Sequence, residues 1–212
     1  MDYAAGFRPG GSGRAAGLDW MQMLSGIALS LFIVLHSFFT ASVIIGEEAF
    51  NALAKMFEFS YLAQIGGPAV AALFLAHFVL AARKIPFAGR EQGIVTRHAR
   101  MLGHSDTWLW IIQALSGMII LFMGAIHMWV LLNDLPITAV KSAELLHQGL
   151  WVWFYVLFIP AVFVHLGAGV YRAGVKWGLV LRSNRRVVKK GLFIFIVLFI
   201  LLDLVSLTFF YF

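Results

Sequence analysis

No cysteine occurs anywhere in this sequence. That excludes an iron–sulfur cluster, a thioether-linked haem, a disulfide and a reactive thiol, and leaves histidine and the carboxylates to hold any cofactor. Charge is scarce as well: 12% of the 212 residues are charged against 61% apolar, and the mean hydropathy is +0.88. That balance is wrong for a soluble domain and right for a polytopic membrane protein. A cleavable leader is also missing from the reading. The opening "MDYAAGFRPGGSGRAAG" is polar and glycine-rich with no apolar core, so residues 1–17 are expected to form a short cytoplasmic tail. No internal repeat is read, and no low-complexity segment beyond that tail.

What is present is a set of long apolar runs. Five of them, at roughly 20–45, 60–84, 107–132, 147–175 and 189–211, are each long enough to cross about 30 Å of hydrocarbon. The expected fold is an all-α membrane protein, one domain over 1–212, with five transmembrane helices. Lys84–Pro86 ends the second run, Ser105–Asp106 is the expected N-cap of the third, and Pro160 is expected to kink the fourth. The connections "ARKIPFAGREQGIVTRHAR" and "YRAGVKWGLVLRSNRRVVKK" are basic, whereas "GEEAFNALAKMFE" and "NDLPITAVKSAE" are mostly acidic. The positive-inside rule puts the basic connections and the N-terminus in the cytoplasm and the C-terminus in the periplasm of a bacterial inner membrane. Basic residues so close to the membrane read as topology and lipid contact rather than as nucleic-acid binding.

Four histidines sit inside apolar runs, where ionisable groups are costly. Measured from the cytoplasmic end of its run, His36 lies about 16 residues in, roughly 24 Å, and His127 about 20 residues, roughly 30 Å. His77 lies about 7 residues from Lys84, roughly 10 Å, and His165 about 10 residues from the end of its run, roughly 15 Å. Two are therefore near the outer face and two nearer the inner face, and each level draws on two different helices. A lone intramembrane histidine is most simply an interhelical hydrogen bond. Four paired by depth match two stacked b haems with bis-histidine ligation in a four-helix bundle. A haem-free transporter using the histidines as a proton relay is the alternative. Gly124, Gly167 and Gly169 lie near the ligands and make room either for a porphyrin or for close helix packing. His98 and His104, in the basic connection, read as solvated or partner-facing.

These residues carry a family resemblance. The segments "LDWMQMLSG", "KMFEF", "ARKIP", "HSDTWLWIIQALSG" and "YRAGVKWG", with histidine spacings of 41, 50 and 38, resemble the di-haem cytochrome b subunit of quinol:fumarate reductases and succinate:quinone reductases. The resembling type has a single five-helix anchor. The resemblance implies that His77 and His165 hold the proximal haem and His36 and His127 the distal one. It further implies that Lys84, Lys176, Trp110 and Gln22 lie near haem propionates, and for the lysines the need of two propionates for cations agrees. It implies an iron–sulfur subunit and an FAD-containing flavoprotein as partners, menaquinol or menaquinone as substrate, and leaves a dimer of heterotrimers open. Haem b subunits of other respiratory complexes place their histidines differently. With neither cysteine nor flavin motif, the chain itself performs no dicarboxylate chemistry.

Glu58, in "KMFEF", matches the glutamate that the family places at the quinol-oxidising site, where a carboxylate near the outer surface accepts protons. Glu47 and Glu48 read as ordinary loop acids. One position departs from the pattern. Members with a transmembrane proton path carry a glutamate two residues before the fourth ligand, and Phe163 stands there. Asp203 is the only acid deep in a run; it reads as a hydrogen-bonded tie between helices, with a substitute proton path as the alternative.

Overall fold

The computed structural model describes residues 12–86 and 88–212, and every regular element among them is helical. In chain order these are α1 (Ser12–Ala41), α2 (Glu47–Phe59), α3 (Gly67–Ala82), α4 (Gly89–Leu102), α5 (Ser105–Leu132), α6 (Ala139–Leu146), α7 (Trp151–Lys176) and α8 (Arg185–Tyr211). A 3-10 turn at Ser42–Ile44 extends α1, and a π turn at Leu62–Gly66 leads into α3. Five segments are long and apolar enough to cross a membrane: Gly13–Ile44, Leu62–Ala82, Ser105–Leu132, Trp151–Lys176 and Arg185–Tyr211. They correspond to the five expected runs. Three shorter helices occupy connections that the sequence reading left without structure.

Several boundaries differ from expectation for identifiable reasons. Residues 12–17 of the expected tail belong to α1, because adding a turn to an existing helix is far cheaper than nucleating one; residues 1–11 of that tail lie outside the described residues. The N-cap of α5 is His104 rather than Ser105–Asp106: its Nδ1 accepts from the Asp106 amide at 3.3 Å. Helix α7 runs on through Pro160 to Lys176. Gly46, at φ 147° and ψ 156°, occupies a conformation open only to glycine and turns the chain from α1 into α2.

Helices α1, α3, α5 and α7 form a closed ring in which each packs on the next, and α8 lies along the groove between α1 and α7. The large apolar side chains left exposed on α1, Leu24, Ile27, Leu31, Leu35 and Phe38, recur every three to four residues. Ile112, Leu115, Ile119, Phe122, Ile126 and Trp129 do the same on α5. Such stripes suit hydrocarbon and leave the opposite faces for the ring interior. Lipid is as apolar as leucine, so small residues and hydroxyls supply the helix contacts. The buried Ser37, Ser116 and Ser206 each return their hydroxyl to the carbonyl four residues earlier, at 3.0, 2.7 and 2.8 Å.

The two ends of the bundle differ. At one end, α2 and α6 close over a hydrophobic cluster of Phe39, Val43, Phe50, Ala54, Ala139 and Phe210, with Phe39 stacked on Phe50 at 4.7 Å. At the other, basic end, Asp19 of α1 pairs with Arg83, Lys84 and Lys176. Asp106 of α5 receives Lys189 at 2.7 Å, Arg185 at 3.3 Å and the Tyr171 hydroxyl at 3.1 Å. These pairs tie the starts of α1, α5 and α8 to the ends of α3 and α7 at one level.

Candidate functional site

His36 of α1 and His127 of α5 meet across one diagonal of the ring, ring centroids 6.1 Å apart and planes at 73°. An ion held between two imidazole nitrogens at about 2 Å each would leave the ring centroids about 6 Å apart. The spacing therefore fits a metal between them. The His36 ring stacks on Phe32 (5.5 Å, 15°), and Nδ1 of His127 lies 3.1 Å from the Tyr155 hydroxyl.

His77 of α3 and His165 of α7 occupy the other diagonal pair of helices, each resting on the helix beside it. Nδ1 of His77 lies 3.0 Å from Ser25 Oγ on α1. Nδ1 of His165 lies 3.2 Å from Ser116 Oγ and 2.9 Å from the Gln113 carbonyl on α5. Nitrogen partners of this kind occupy Nδ1 and leave Nε2 for a metal, the arrangement typical of ligating histidines. Among the described residues no three His, Asp or Glu side chains converge.

The glycines that matter here are not those singled out from the sequence. A Cβ at Gly26 would come within 3.0 Å of His77 Cε1, and one at Gly117 within 3.0 Å of His165 Cε1. Gly124 faces Phe74 and Phe158 at ordinary contact distance, and Gly167 faces Ile196 of α8, so both serve helix packing. Gly169 faces the Gln113 amide. The repeat-free reading is also corrected. "QMLSG" at 22–26 and "QALSG" at 113–117 are each followed, ten residues after the glycine, by a histidine, His36 and His127.

At the basic end, a cavity of about 430 Å³ between α5 and α7 is lined by Asp106, Thr107, Trp110, Tyr171, Arg172, Val175 and Lys176. Of the four residues expected near propionates, Trp110 and Lys176 line this space and Lys84 and Gln22 do not; Arg172, which sequence reasoning missed, lines it too, and its guanidinium bonds Gln113 Oε1. Lys84 and Lys176 are both engaged by Asp19. With Arg83, three cations against one carboxylate leave two positive charges in surplus, which suits two propionates. Gln22 Oε1 is buried with no hydrogen-bond partner among the described residues. An amide with spare capacity, a cationic cavity and imidazoles with tied Nδ1 atoms all fit haem.

Glu58 sits in the last turn of α2, half-buried. A carboxylate at a helix C-terminus opposes the macrodipole, so helix stability does not account for it. The aromatic chain from His36 to Phe39 (6.2 Å) to Phe57 (5.2 Å) leads to its neighbour. Directly after it, Tyr61 takes a left-handed φ of 58° and the π turn begins, two irregularities that collect at functional sites. Glu47 and Glu48 are exposed in the first turn of α2, where acids favour the helix. Phe163 is buried and packs on Phe199 of α8 at 5.5 Å. One turn further along α8, Asp203 Oδ2 accepts from Ser37 Oγ at 3.0 Å, tying α8 to α1 beside His36. Arg97, His98 and Arg100 are exposed on α4. His147, not assigned a role from the sequence, is exposed and stacks on Tyr211 at 4.6 Å.

Residues 89–205 match the family described as succinate dehydrogenase/fumarate reductase transmembrane subunit. The chain is 34% identical over 177 residues to the fumarate reductase cytochrome b subunit of Helicobacter pylori, covering 79% of this chain and 69% of that one. It is 33% identical over 172 residues to the subunit of the same name from Wolinella succinogenes, covering 77% and 67%. To the succinate dehydrogenase cytochrome b558 subunit of Bacillus subtilis it is 24% identical over 190 residues, covering 84% and 88%. A multi-pass helical chain with half-buried histidines on four of its spans and these relatives belongs to the succinate dehydrogenase/fumarate reductase transmembrane subunits, as the cytochrome b component of such a complex.

Proposed function

We propose that this chain, a single domain over 1–212, is the inner-membrane anchor and electron conduit of a quinol:fumarate reductase. The observation that carries the reading is the facing His36–His127 pair, lying ten residues beyond the points where α1 and α5 support His77 and His165. When bound, haem b at each level would supply a one-electron carrier between menaquinol at the outer face and an iron–sulfur subunit at the inner one.

The chain's own residues do the rest. His36 and His127 offer Nε2 atoms at the outer level, His77 and His165 at the inner level. Arg172, Lys84 and Lys176 hold positive charge at the basic, cytoplasmic end, Trp110 walls that space, and Gln22 has hydrogen-bonding capacity to spare. The Glu58 carboxylate, at the outer boundary, accepts a proton from quinol and releases it to water. Exposed Arg97 and Arg100 on α4 face the iron–sulfur and flavoprotein subunits, which reduce fumarate. The Bacillus subtilis relative is named for succinate dehydrogenase, so succinate:menaquinone reduction by the same arrangement in reverse is the second reading.

The test is Glu58→Gln in the assembled complex. Quinol-driven fumarate reduction should be lost while the haem spectra and dye-driven fumarate reduction persist. Normal quinol turnover in that variant removes Glu58 from the site.

A further inference from the structure

The repeat "QMLSG"/"QALSG" does more than mark two similar helices. In both copies the serine and glycine face an imidazole belonging to the neighbouring helix, His77 for α1 and His165 for α5. Both serines are buried, at 8% and 6% exposure, so water does not compete for these bonds. We infer that Ser25–Gly26 and Ser116–Gly117 are paired imidazole seats, positioning residues that fix the tautomer and tilt of His77 and His165 and so set the electron affinity of the inner level alone. The inference rests on the reading of these two histidines as ligands of an inner haem.

Hydrogen-bond directions make the argument. Ser25 Oγ donates to the Gln22 carbonyl at 3.0 Å, which leaves its lone pairs to accept from His77 Nδ1–H. Ser116 Oγ donates to the Ile112 carbonyl at 2.7 Å and is likewise an acceptor toward His165. The Gln113 carbonyl, 2.9 Å from His165 Nδ1, has no hydrogen to give, so that nitrogen must carry the proton. In both cases Nε2 keeps its lone pair and would be free to bind a haem iron. A donated Nδ1–H also makes the imidazole a stronger donor, which favours the oxidised metal and lowers its reduction potential.

The glycines supply the tilt. A Cβ 3.0 Å from Cε1 would be in tighter contact than carbon atoms normally accept, so alanine at either position pushes the ring off its seat. The outer level is built otherwise: His127 meets a tyrosine hydroxyl and His36 stacks on Phe32. Loss of a seat should therefore register at one level only.

The experiment is a redox titration of the purified complex, followed by visible absorption and by electron paramagnetic resonance, for wild type, Ser25→Ala, Ser116→Ala, the double variant, Ser25→Thr and Gly26→Ala. Each Ser→Ala should move the inner midpoint potential positive, the double variant further than either, with the outer midpoint fixed and Ser25→Thr near wild type. Gly26→Ala should change the resonance of the inner haem, or release that haem, and spare the outer one. An inner midpoint unmoved by both serine changes, or equal shifts at both levels, overturns the inference. A wild type lacking an inner haem would instead overturn the ligand assignment on which it rests.

Discussion

On the proposed reading the two histidine levels are stacked along the membrane normal, and that separation should make their electron distribution sensitive to voltage. His36 lies ten residues beyond Gly26, which touches His77, and His127 ten residues beyond Gly117, which touches His165. At 1.5 Å per residue both helices give a separation of about 15 Å, roughly half of the hydrocarbon core. Moving one charge across the whole core is worth about 2.3 kcal/mol per 100 mV, so one electron moving between the levels responds with about 1.2 kcal/mol. That is about a sevenfold change in the distribution per 100 mV. The perturbation is a potassium diffusion potential imposed with valinomycin on sealed proteoliposomes, poised with both haems half reduced and no quinol or fumarate present. His36→Ala and His77→Ala give the single-haem spectra needed to resolve the two signals. Electrons should shift toward the positive side by about sevenfold per 100 mV, as the half-core separation requires. A change under about twofold in vesicles shown to be tight would mean that the levels are not stacked along the normal, and would refute the reasoning.

Charge reversal at Arg97 and Arg100, both exposed on α4, should release the soluble subunits at lower salt, because exposed ion pairs are screened; salt-stepped washing of membranes measures this, and unchanged retention would assign these charges to lipid contact or topology. Quinol-driven fumarate reduction in sealed liposomes should build a potential, positive outside, since Phe163 is buried against Phe199 and Asp203 is tied to Ser37. A potential-sensitive dye signal abolished by ionophore is the expected result; turnover without a signal, which then appears in Asp203→Asn, would make Asp203 the compensating proton path.

The five spans and the four histidines were legible in the sequence because both rest on burial energetics strong enough to leave a one-dimensional trace. A run of twenty apolar residues has few other uses, and an imidazole inside one is conspicuous. The proposed depth pairing rests on helical rise alone. What escaped depends on contacts between helices. Ser25, Gly26, Ser116 and Gly117 are individually unremarkable in a membrane helix, and become informative only when His77 and His165 are seen against them. Arg172 reads as a topology anchor until the cavity it lines with Trp110 is known. Gly124 and Gly167 were conspicuous by their nearness in sequence to ligands, but point at other helices. The helices in the connections, α2, α4 and α6, are short and lack a long apolar run; α2 and α6 are held by packing over one end of the bundle, and α4 buries only Ala99. The left-handed Tyr61 and the π turn after Glu58 have no signature in composition.

On the proposed reading two haems are held, one by His36 with His127 and one by His77 with His165. Pyridine haemochrome analysis of the purified complex, in wild type and in each His→Ala variant, tests it most directly. Two haems b per chain are expected in wild type. Loss of His36 or His127 should remove one spectral species, and loss of His77 or His165 the other, so that the four variants fall into two classes of two. One haem or none in wild type, or variants that sort as His36 with His77, would contradict the account.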